Sequence, residues 1–181
     1  MNLGWLHLDP LAVVVLALVT AQRLAELVYA RFNEERLKKA GGVEHGASHF
    51  PLIVMLHAAW LAGLWIAASG TRPEYSWLAV FLLLQGLRGW VLLTLGPRWT
   101  TRIIVLPDTP PIRSGPYRFL SHPNYAVVAA EIFVLPMAFG LVTYALIFSV
   151  LNAAVLTVRI RAENAALRGS EAAFGRFLSP Q

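Results

Sequence analysis

Long apolar stretches separated by short polar breaks make up most of the chain. Three of them have the length of about 20 residues that a helix needs to cross a membrane, and they cover Asp9–Ala30, Phe50–Ser69 and Trp77–Leu95. Residues that commonly end helices follow each one: the pair Gly41 and Gly42, the run SGTRPE, and the run GPRW. The pattern therefore predicts three membrane-spanning helices in the first part of the chain.

A fourth apolar stretch, from Tyr125 to Val158, is too long for one upright span and short for two. Half of it, about 17 residues at 1.5 Å each, would reach only about 26 Å. Pro136 and Gly140 near its middle favour a tight helical hairpin. We therefore expect an all-α integral membrane protein with about five transmembrane helices, the last two being a hairpin of helices that are short or packed away from lipid.

The composition fits a membrane protein of one domain, residues 1–181. Hydrophobic residues make up 57% of the chain and charged residues 14%, which is too apolar for an ordinary soluble fold. The net charge of +5 would suit nucleic acid, but the basic residues gather in the gaps between apolar stretches, so we expect no nucleic acid partner. The absence of cysteine excludes a disulfide, a thiolate zinc site and a cysteine nucleophile.

The placement of basic residues predicts the orientation in the membrane. The gaps that would share one side of the membrane hold most of them: Arg31, Arg36, Lys38 and Lys39; Arg98, Arg102, Arg113 and Arg118; and Arg159, Arg161, Arg168 and Arg176. The opposite side holds Arg72. Since cytoplasmic loops accumulate Lys and Arg, we expect the N-terminus outside and the C-terminus in the cytoplasm. The first stretch opens without basic residues, which predicts a retained span and not a cleaved signal.

Four charged residues lie well inside the predicted spans. Arg23 and Glu26 are three residues apart and can pair along one helix, whereas Arg88 and Glu131 have no local partner. Buried charges in a membrane are usually paired or face a cavity. We expect Arg88 and Glu131 to neutralise each other or to line a cavity.

The run SGPYRFLSHPNY, residues 114–125, brings polar side chains to the mouth of the fourth predicted helix. His122 and Tyr125 are three residues apart where that helix should begin, so both can face one pocket, and Pro123 suits a first helical turn. Helix N-termini also offer unpaired N–H groups to an anion. The alternative is a capped helix start with interfacial anchors, and spacing alone leaves both interpretations open.

Arg159 and Glu163 are four residues apart where the last helix leaves the membrane. Such a pair is usually a surface salt bridge worth a few tenths of a kcal/mol, but beside a pocket it can bind a charged ligand. His45 and His49 share the same spacing, yet Gly46 would break the helix that a metal pair needs. We therefore predict no metal site.

Two of these motifs resemble the isoprenylcysteine carboxyl methyltransferases, integral membrane enzymes that use S-adenosylmethionine. SGPYRFLSHPNY matches the family pattern of G-x-Y followed by H-P-x-Y, and RIRAENAAL matches R-x-x-x-E-E-x-x-L. The resemblance covers about Trp90–Phe177. The first half is similar to a bacterial branch whose members O-methylate alkylpyrones or alkylresorcinols.

The resemblance implies a cofactor-binding part over about residues 96–181, facing the cytoplasm of a bacterial inner membrane. It implies that Arg159 acts on the substrate, a lipophilic small molecule or a prenylated protein. The residues it implies for S-adenosylmethionine come from the 102 and 109–112 segments, the two motifs and the final helix. They are Arg102, Pro111, Ile112, Tyr117, His122, Pro123, Asn124, Tyr125 and Glu163.

Two departures from the family pattern affect these expectations. Asn164 replaces the second Glu of the family's pair, and Val127 stands where a small residue is common. The alternative function is a small membrane transport or binding subunit, in which Arg88 and Glu131 line a path. The sequence identifies neither the methyl acceptor nor the oligomeric state.

Overall fold

The computed structural model describes residues 9–107 and 109–177, with side chains through residue 169. Five α-helices and a two-stranded sheet form this part of the chain. The helices are α1 (Pro10–Lys39), α2 (Phe50–Ala67), α3 (Tyr75–Leu95), α4 (Pro123–Ala138) and α5 (Val142–Phe177). The strands are β1 (Val43–His45) and β2 (Ile103–Val105), which pair antiparallel. The predicted all-α membrane fold is confirmed, and its first three spans fall on α1, α2 and α3.

The first helix begins where the sequence predicts but extends beyond the apolar stretch. The carboxylate of Asp9 caps it by accepting a hydrogen bond from the backbone N–H of Leu11, and Pro10 occupies its first turn. Its last turns are polar and end before Gly42, where an added Cβ would lie 2.7 Å from the carbonyl oxygen of Leu37. Glycine at that position therefore lets the chain turn directly into β1.

The last two helices form the predicted hairpin, but they differ in length. Pro136 lies in the final turn of α4, and Gly140 adopts a positive φ of 70° in the connection to α5. With 16 residues, α4 is about 24 Å long and shorter than the other four helices, each of which is long and apolar enough to cross a membrane. The expectation that the hairpin helices are short or packed away from lipid is right for α4. It is wrong for α5, which has 36 residues because it continues as a polar helix beyond Val158.

Helix α4 occupies the centre of the bundle, where it packs against α3 and α5. Its buried side chains include Ile132 and Leu135, which join Leu16 of α1, Trp60 of α2 and Phe81 of α3 in one hydrophobic core. A short helix can therefore be held at membrane depth, since its neighbours and not lipid cover most of it.

The four intramembrane charges form one network that joins α1, α3 and α4. Arg88 is 5% exposed and donates to both Glu26 and Glu131, while Arg23 also contacts both carboxylates. Gln85 donates to Glu131 at 2.8 Å. The predicted Arg23–Glu26 and Arg88–Glu131 pairs are both confirmed, and the network has equal numbers of positive and negative groups.

The small sheet fastens the loop after α1 to the loop after α3. Glu44 of β1 lies opposite Ile104 of β2. The carboxylate of Glu44 accepts hydrogen bonds from Lys38 and Arg102, which hold the pKa of Glu44 below its usual value. Two of the arginine-rich and lysine-rich loops therefore lie on the same side of the helix bundle.

Candidate active site

A polar cavity of about 170 Å³ lies at the C-terminal end of α3, beside the start of α4 and the middle of α5. Its walls come from the segment after α3, the turn before α4, the first turn of α4 and the part of α5 around Arg159. Eight of the nine residues predicted to bind a cofactor line it: Arg102, Pro111, Ile112, Tyr117, His122, Asn124, Tyr125 and Glu163. Arg159 lines it as well. The structure thus assembles both motifs around one space.

The G-x-Y motif forms a tight helical turn, Gly115–Arg118, against the end of α3. Gly115 has a positive φ of 55°, and an added Cβ would lie 2.4 Å from the hydroxyl oxygen of Thr94. Glycine is therefore required both for the backbone conformation and for the close approach. The turn directs Tyr117 to the cavity, where burial and the nearby Glu163 carboxylate raise the pKa of its hydroxyl. Tyr117 therefore remains protonated at neutral pH.

The H-P-x-Y motif begins α4 as predicted. His122 is the N-cap residue, and Pro123 occupies the first turn. The rings of His122 and Tyr125 stack, with centroids 5.4 Å apart and planes 20° apart. The imidazole Nε2 lies 3.1 Å from Oδ1 of Asn164, and Nδ1 lies 4.0 Å from the Glu163 carboxylate. His122 and Tyr125 therefore face one pocket, as their spacing predicts.

Tyr125 connects the two charged residues of α5. Its hydroxyl donates a hydrogen bond to the carboxylate of Glu163 and accepts one from Nε of Arg159 at 2.8 Å. Arg159 is 7% exposed, and its Nη2 donates to the carbonyl oxygen of Thr101 at 2.6 Å. The interpretation of Arg159 and Glu163 as a surface salt bridge is therefore wrong, because Arg159 is buried and the Tyr125 hydroxyl lies between them.

Asn164, which replaces the second acidic residue of the family pattern, contacts His122 within this group. Its amide oxygen lies at hydrogen-bond distance from Nε2 of His122. A neutral partner at this position leaves Glu163 as the carboxylate that faces Tyr125 and His122. The local charge of the cavity is therefore less negative than a pair of glutamates would make it.

Two predicted residues have surroundings that the sequence does not indicate. Pro123 is buried and faces away from the polar cavity. Arg102 lines the cavity, but its guanidinium already bonds Glu44, lies 3.5 Å from Glu34 and stacks 4.1 Å above the ring of Phe50. Their roles in cofactor binding stay predictions, and Arg102 also fastens the sheet to α1.

The segment just after α3 contributes cavity residues that sequence reasoning missed. Arg98 lines the cavity and donates to the carbonyl oxygen of Pro110 at 3.0 Å. Trp99 is buried against Tyr29, and its carbonyl oxygen accepts a hydrogen bond from the buried amide of Asn33. In the sequence the run GPRW indicates only the end of a helix, and no sequence pattern links it to Asn33 on α1, which is 66 residues from Trp99.

An apolar cleft of about 230 Å³ lies on the opposite face of the same turn, between α3 and the start of α4. Leu84, Leu87, Trp90, Phe119 and Val127 are among the exclusively apolar residues that line it. Adjacent residues of one segment divide between the two spaces, so that Pro116 and Pro123 face the cleft while Tyr117 and Asn124 face the polar cavity. An apolar surface therefore lies directly beside a polar one.

These features define a class of protein: a multi-pass membrane protein with a polar site at the N-terminal end of its central helix. A model of the isoprenylcysteine carboxyl methyltransferase (ICMT) family matches residues 77–169, which include both motifs and most of the cavity. The chain belongs to this family of membrane methyltransferases.

Two relatives are similar over most of the chain. The Bacillus subtilis (strain 168) protein named "Uncharacterized protein YpbQ" is 39% identical over 160 residues, covering 86% of this chain and 95% of the relative. A Haemophilus influenzae protein named "Uncharacterized protein" is 24% identical over 160 residues, covering 85% of this chain and 93% of the relative. No solved structure matches the chain.

Proposed function

We propose that this chain transfers a methyl group from S-adenosylmethionine to an oxygen atom of a lipophilic acceptor. The observation that carries the proposal is the arrangement of Arg159, Tyr125 and Glu163 on the wall of a polar cavity that lies beside an apolar cleft. Family membership supports methyl transfer. The cleft supports an acceptor drawn from the membrane.

The polar groups of the cavity fit S-adenosylmethionine, which carries an amino acid, a ribose and a purine. Oδ1 of Asn124 and Nε1 of Trp99 are buried without a hydrogen-bond partner, and both residues line the cavity. Buried polar atoms usually have partners, so these two atoms suit a bound polar ligand. Glu163 would accept hydrogen bonds from the cofactor's amino group, and Tyr117 and His122 would complete the wall around it.

Once bound, S-adenosylmethionine supplies a methyl group whose bond to sulfur breaks as a lone pair of the acceptor oxygen bonds to its carbon, leaving S-adenosylhomocysteine. The work of the chain is to position the acceptor and to exclude water. Arg159 would hold the acceptor oxygen as an anion and direct it into the cavity. Its Nε and Nη2 are fixed by Tyr125 and Thr101, which keeps the guanidinium in one orientation.

The acceptor is an ionisable oxygen compound with a long apolar part. Carboxylates of prenylated cysteines, enols of alkylpyrones and phenols of alkylresorcinols all combine these two features. An ionised carboxylate or an acidic enol needs no base for methylation, and the Tyr125 hydroxyl is already engaged with both Glu163 and Arg159. The site therefore suits an acceptor that arrives as an anion.

The cavity would face the cytoplasm of a bacterial inner membrane, with the N-terminus outside. Pairing of β1 with β2 supports this orientation because it keeps two loops rich in basic residues on one side. The cofactor would then enter from water, and the acceptor from the inner leaflet.

Binding of S-adenosylhomocysteine to the detergent-purified chain tests the proposal against a transport or binding subunit. A methyltransferase should be stabilised against heat in proportion to ligand concentration, whereas adenosine alone should stabilise it much less. Transfer of a labelled methyl group to an organic-extractable product of a bacterial lipid extract would identify the acceptor class. Absence of stabilisation by S-adenosylhomocysteine would overturn the proposal.

A further inference from the structure

Three guanidinium groups line the polar cavity, and they differ in what they already bind. Arg102 has two carboxylate partners, Glu44 and Glu34. Arg159 donates to the Tyr125 hydroxyl and to a backbone carbonyl. Arg98 donates only to the carbonyl oxygen of Pro110, and none of the described carboxylates forms an ion pair with it.

Among the residues that the structure describes, the charges lining the cavity leave a positive surplus. Arg102 is neutralised outside the cavity by the carboxylates of α1 and β1, so Arg98 and Arg159 face one described carboxylate, that of Glu163. A cavity with this balance favours ligands that bring anionic groups. Guanidinium binds a carboxylate through two parallel hydrogen bonds, which gives both affinity and orientation.

The two arginines lie at different depths. The outer ends of α3 and α4 are level, because the backbone N–H of Glu74 donates to the carbonyl oxygen of Ala138 at 2.7 Å. Arg159 lies about 17 residues into α5, or about 26 Å from its outer end, whereas α3 is about 30 Å long and Arg98 lies beyond its inner end. The backbone of Arg98 is therefore farther from the outer ends of the helices than the backbone of Arg159.

We propose that Arg98 binds the carboxylate of the cofactor's amino acid part, which leaves Arg159 for the acceptor oxygen. This inference rests on the proposed function. A polar ligand that enters from water meets Arg98, while an acceptor anchored in lipid meets Arg159. Glu163, which lines the same cavity from α5, takes the amino group of the same amino acid part, so that two opposite charges of the chain match two opposite charges of the ligand.

Equilibrium binding to the full chain in detergent tests the assignment with two ligands that differ by one group. The first is S-adenosylhomocysteine, and the second is its decarboxylated analogue, which keeps the amine, thioether and adenosine. Arg98→Gln removes the charge and keeps a polar side chain, although a shorter one. It should weaken S-adenosylhomocysteine on the order of tenfold or more, and it should change binding of the decarboxylated analogue by less than about threefold.

Three further variants test the assignment of Arg98 more strictly. Arg98→Lys keeps the charge without the planar fork, so it should lie between wild type and Arg98→Gln, and it replaces that variant if the glutamine form does not fold. Arg118→Gln is the matched control, because Arg118 is on the neighbouring turn, exposed and outside the cavity. Arg159→Gln should affect the two ligands equally.

Each outcome decides the assignment. Equal weakening of both ligands by Arg98→Gln, or no weakening of either, would overturn it. Selective loss of S-adenosylhomocysteine binding in Arg159→Gln would reverse the two arginines and would overturn it as well. Failure of the wild-type chain to bind S-adenosylhomocysteine would overturn the proposed function itself, so the two failures are distinguished before any variant is measured.

Discussion

Arg159 and Glu163 lie one turn apart on α5, yet the hydroxyl of Tyr125 lies between them and bonds both. The side chain from α4 keeps the two opposite charges from neutralising each other, so each can face a ligand. A helical pair with this spacing normally forms a direct ion pair. The separation of the two charges here is the basis for proposing that Arg159 and Glu163 bind different ligands.

The first prediction is that Arg159 and Glu163 affect different steps. Glu163→Gln should lower affinity for S-adenosylhomocysteine, because a charged acceptor for the amino group is lost. Arg159→Met should leave that affinity nearly intact and reduce turnover with a lipophilic oxygen acceptor on the order of tenfold or more. Calorimetric titration beside a methyl-transfer assay measures both. Equal loss of cofactor affinity in the two variants would contradict the division.

The second prediction concerns the hydroxyl of Tyr125. Tyr125→Phe should lower affinity for S-adenosylhomocysteine several-fold, because Glu163 loses a donor and becomes free to pair with Arg159. Tyr144→Phe is the matched control, since the hydroxyl of Tyr144 donates to the carbonyl oxygen of Trp60 at 2.6 Å, away from the cavity. The control should lose stability without losing affinity. His122→Ala, which removes the ring stacked on Tyr125, should also weaken binding without unfolding the chain.

The third prediction concerns the charge network inside the bundle. Glu131 is 1% exposed and accepts from Arg23, Arg88 and Gln85. Glu131→Gln should destabilise the chain by about 3 kcal/mol, because the buried Arg88 and the partly buried Arg23 then share one carboxylate. Unfolding in mixed detergent measures this loss.

Two comparisons separate the network from a general effect of charge. Glu74→Gln is the matched control at the exposed start of α3 and should cost less than about 0.5 kcal/mol. Combining Glu131→Gln with Arg88→Gln should cost less than the sum of the two single changes, because each removes the other's unpaired charge. Strict additivity would show that the residues do not act as one network.

Sequence patterns predict the helices well because the length of an apolar stretch is a local property. The hairpin follows from Pro136 and Gly140 for the same reason. The charge network could be predicted only in part, since Arg23 reaches Glu131 across 108 residues of sequence. Likewise, nothing near Arg102 in the sequence indicates that Glu44, which is 58 residues away, already occupies its guanidinium. The motifs located the cavity, but packing decides which arginine is available to a ligand.

The fourth prediction uses the lowered pKa of Glu44. A carboxyl group whose folded-state pKa lies below its usual value of about 4.5 stabilises the fold above that pH, and the stabilisation is lost as pH falls through the lowered pKa. The stability difference between wild type and Glu44→Gln should therefore be full above about pH 5 and should shrink toward pH 3. Thermal unfolding across this range measures it. Glu35→Gln is the control, because Glu35 is exposed and forms no hydrogen bond or ion pair in the described chain. If the stability difference between wild type and Glu35→Gln shrank in the same way as pH falls, the assignment to Glu44 would be contradicted.

The fifth prediction concerns orientation, and the absence of native cysteine makes it direct to test. Single cysteines at Arg72, between α2 and α3, and at Ser114, before the G-x-Y turn, lie on opposite sides of the bundle because α3 crosses it between them. With the N-terminus outside, a membrane-impermeant thiol reagent added to intact cells should label Arg72→Cys strongly and Ser114→Cys only after the cells are opened. Lys39→Cys should behave like Ser114→Cys, since β1 and β2 hold the two loops on one side. Strong external labelling at Ser114 and Lys39 together would reverse the orientation and place the cavity outside the cytoplasm, where S-adenosylmethionine would not reach it.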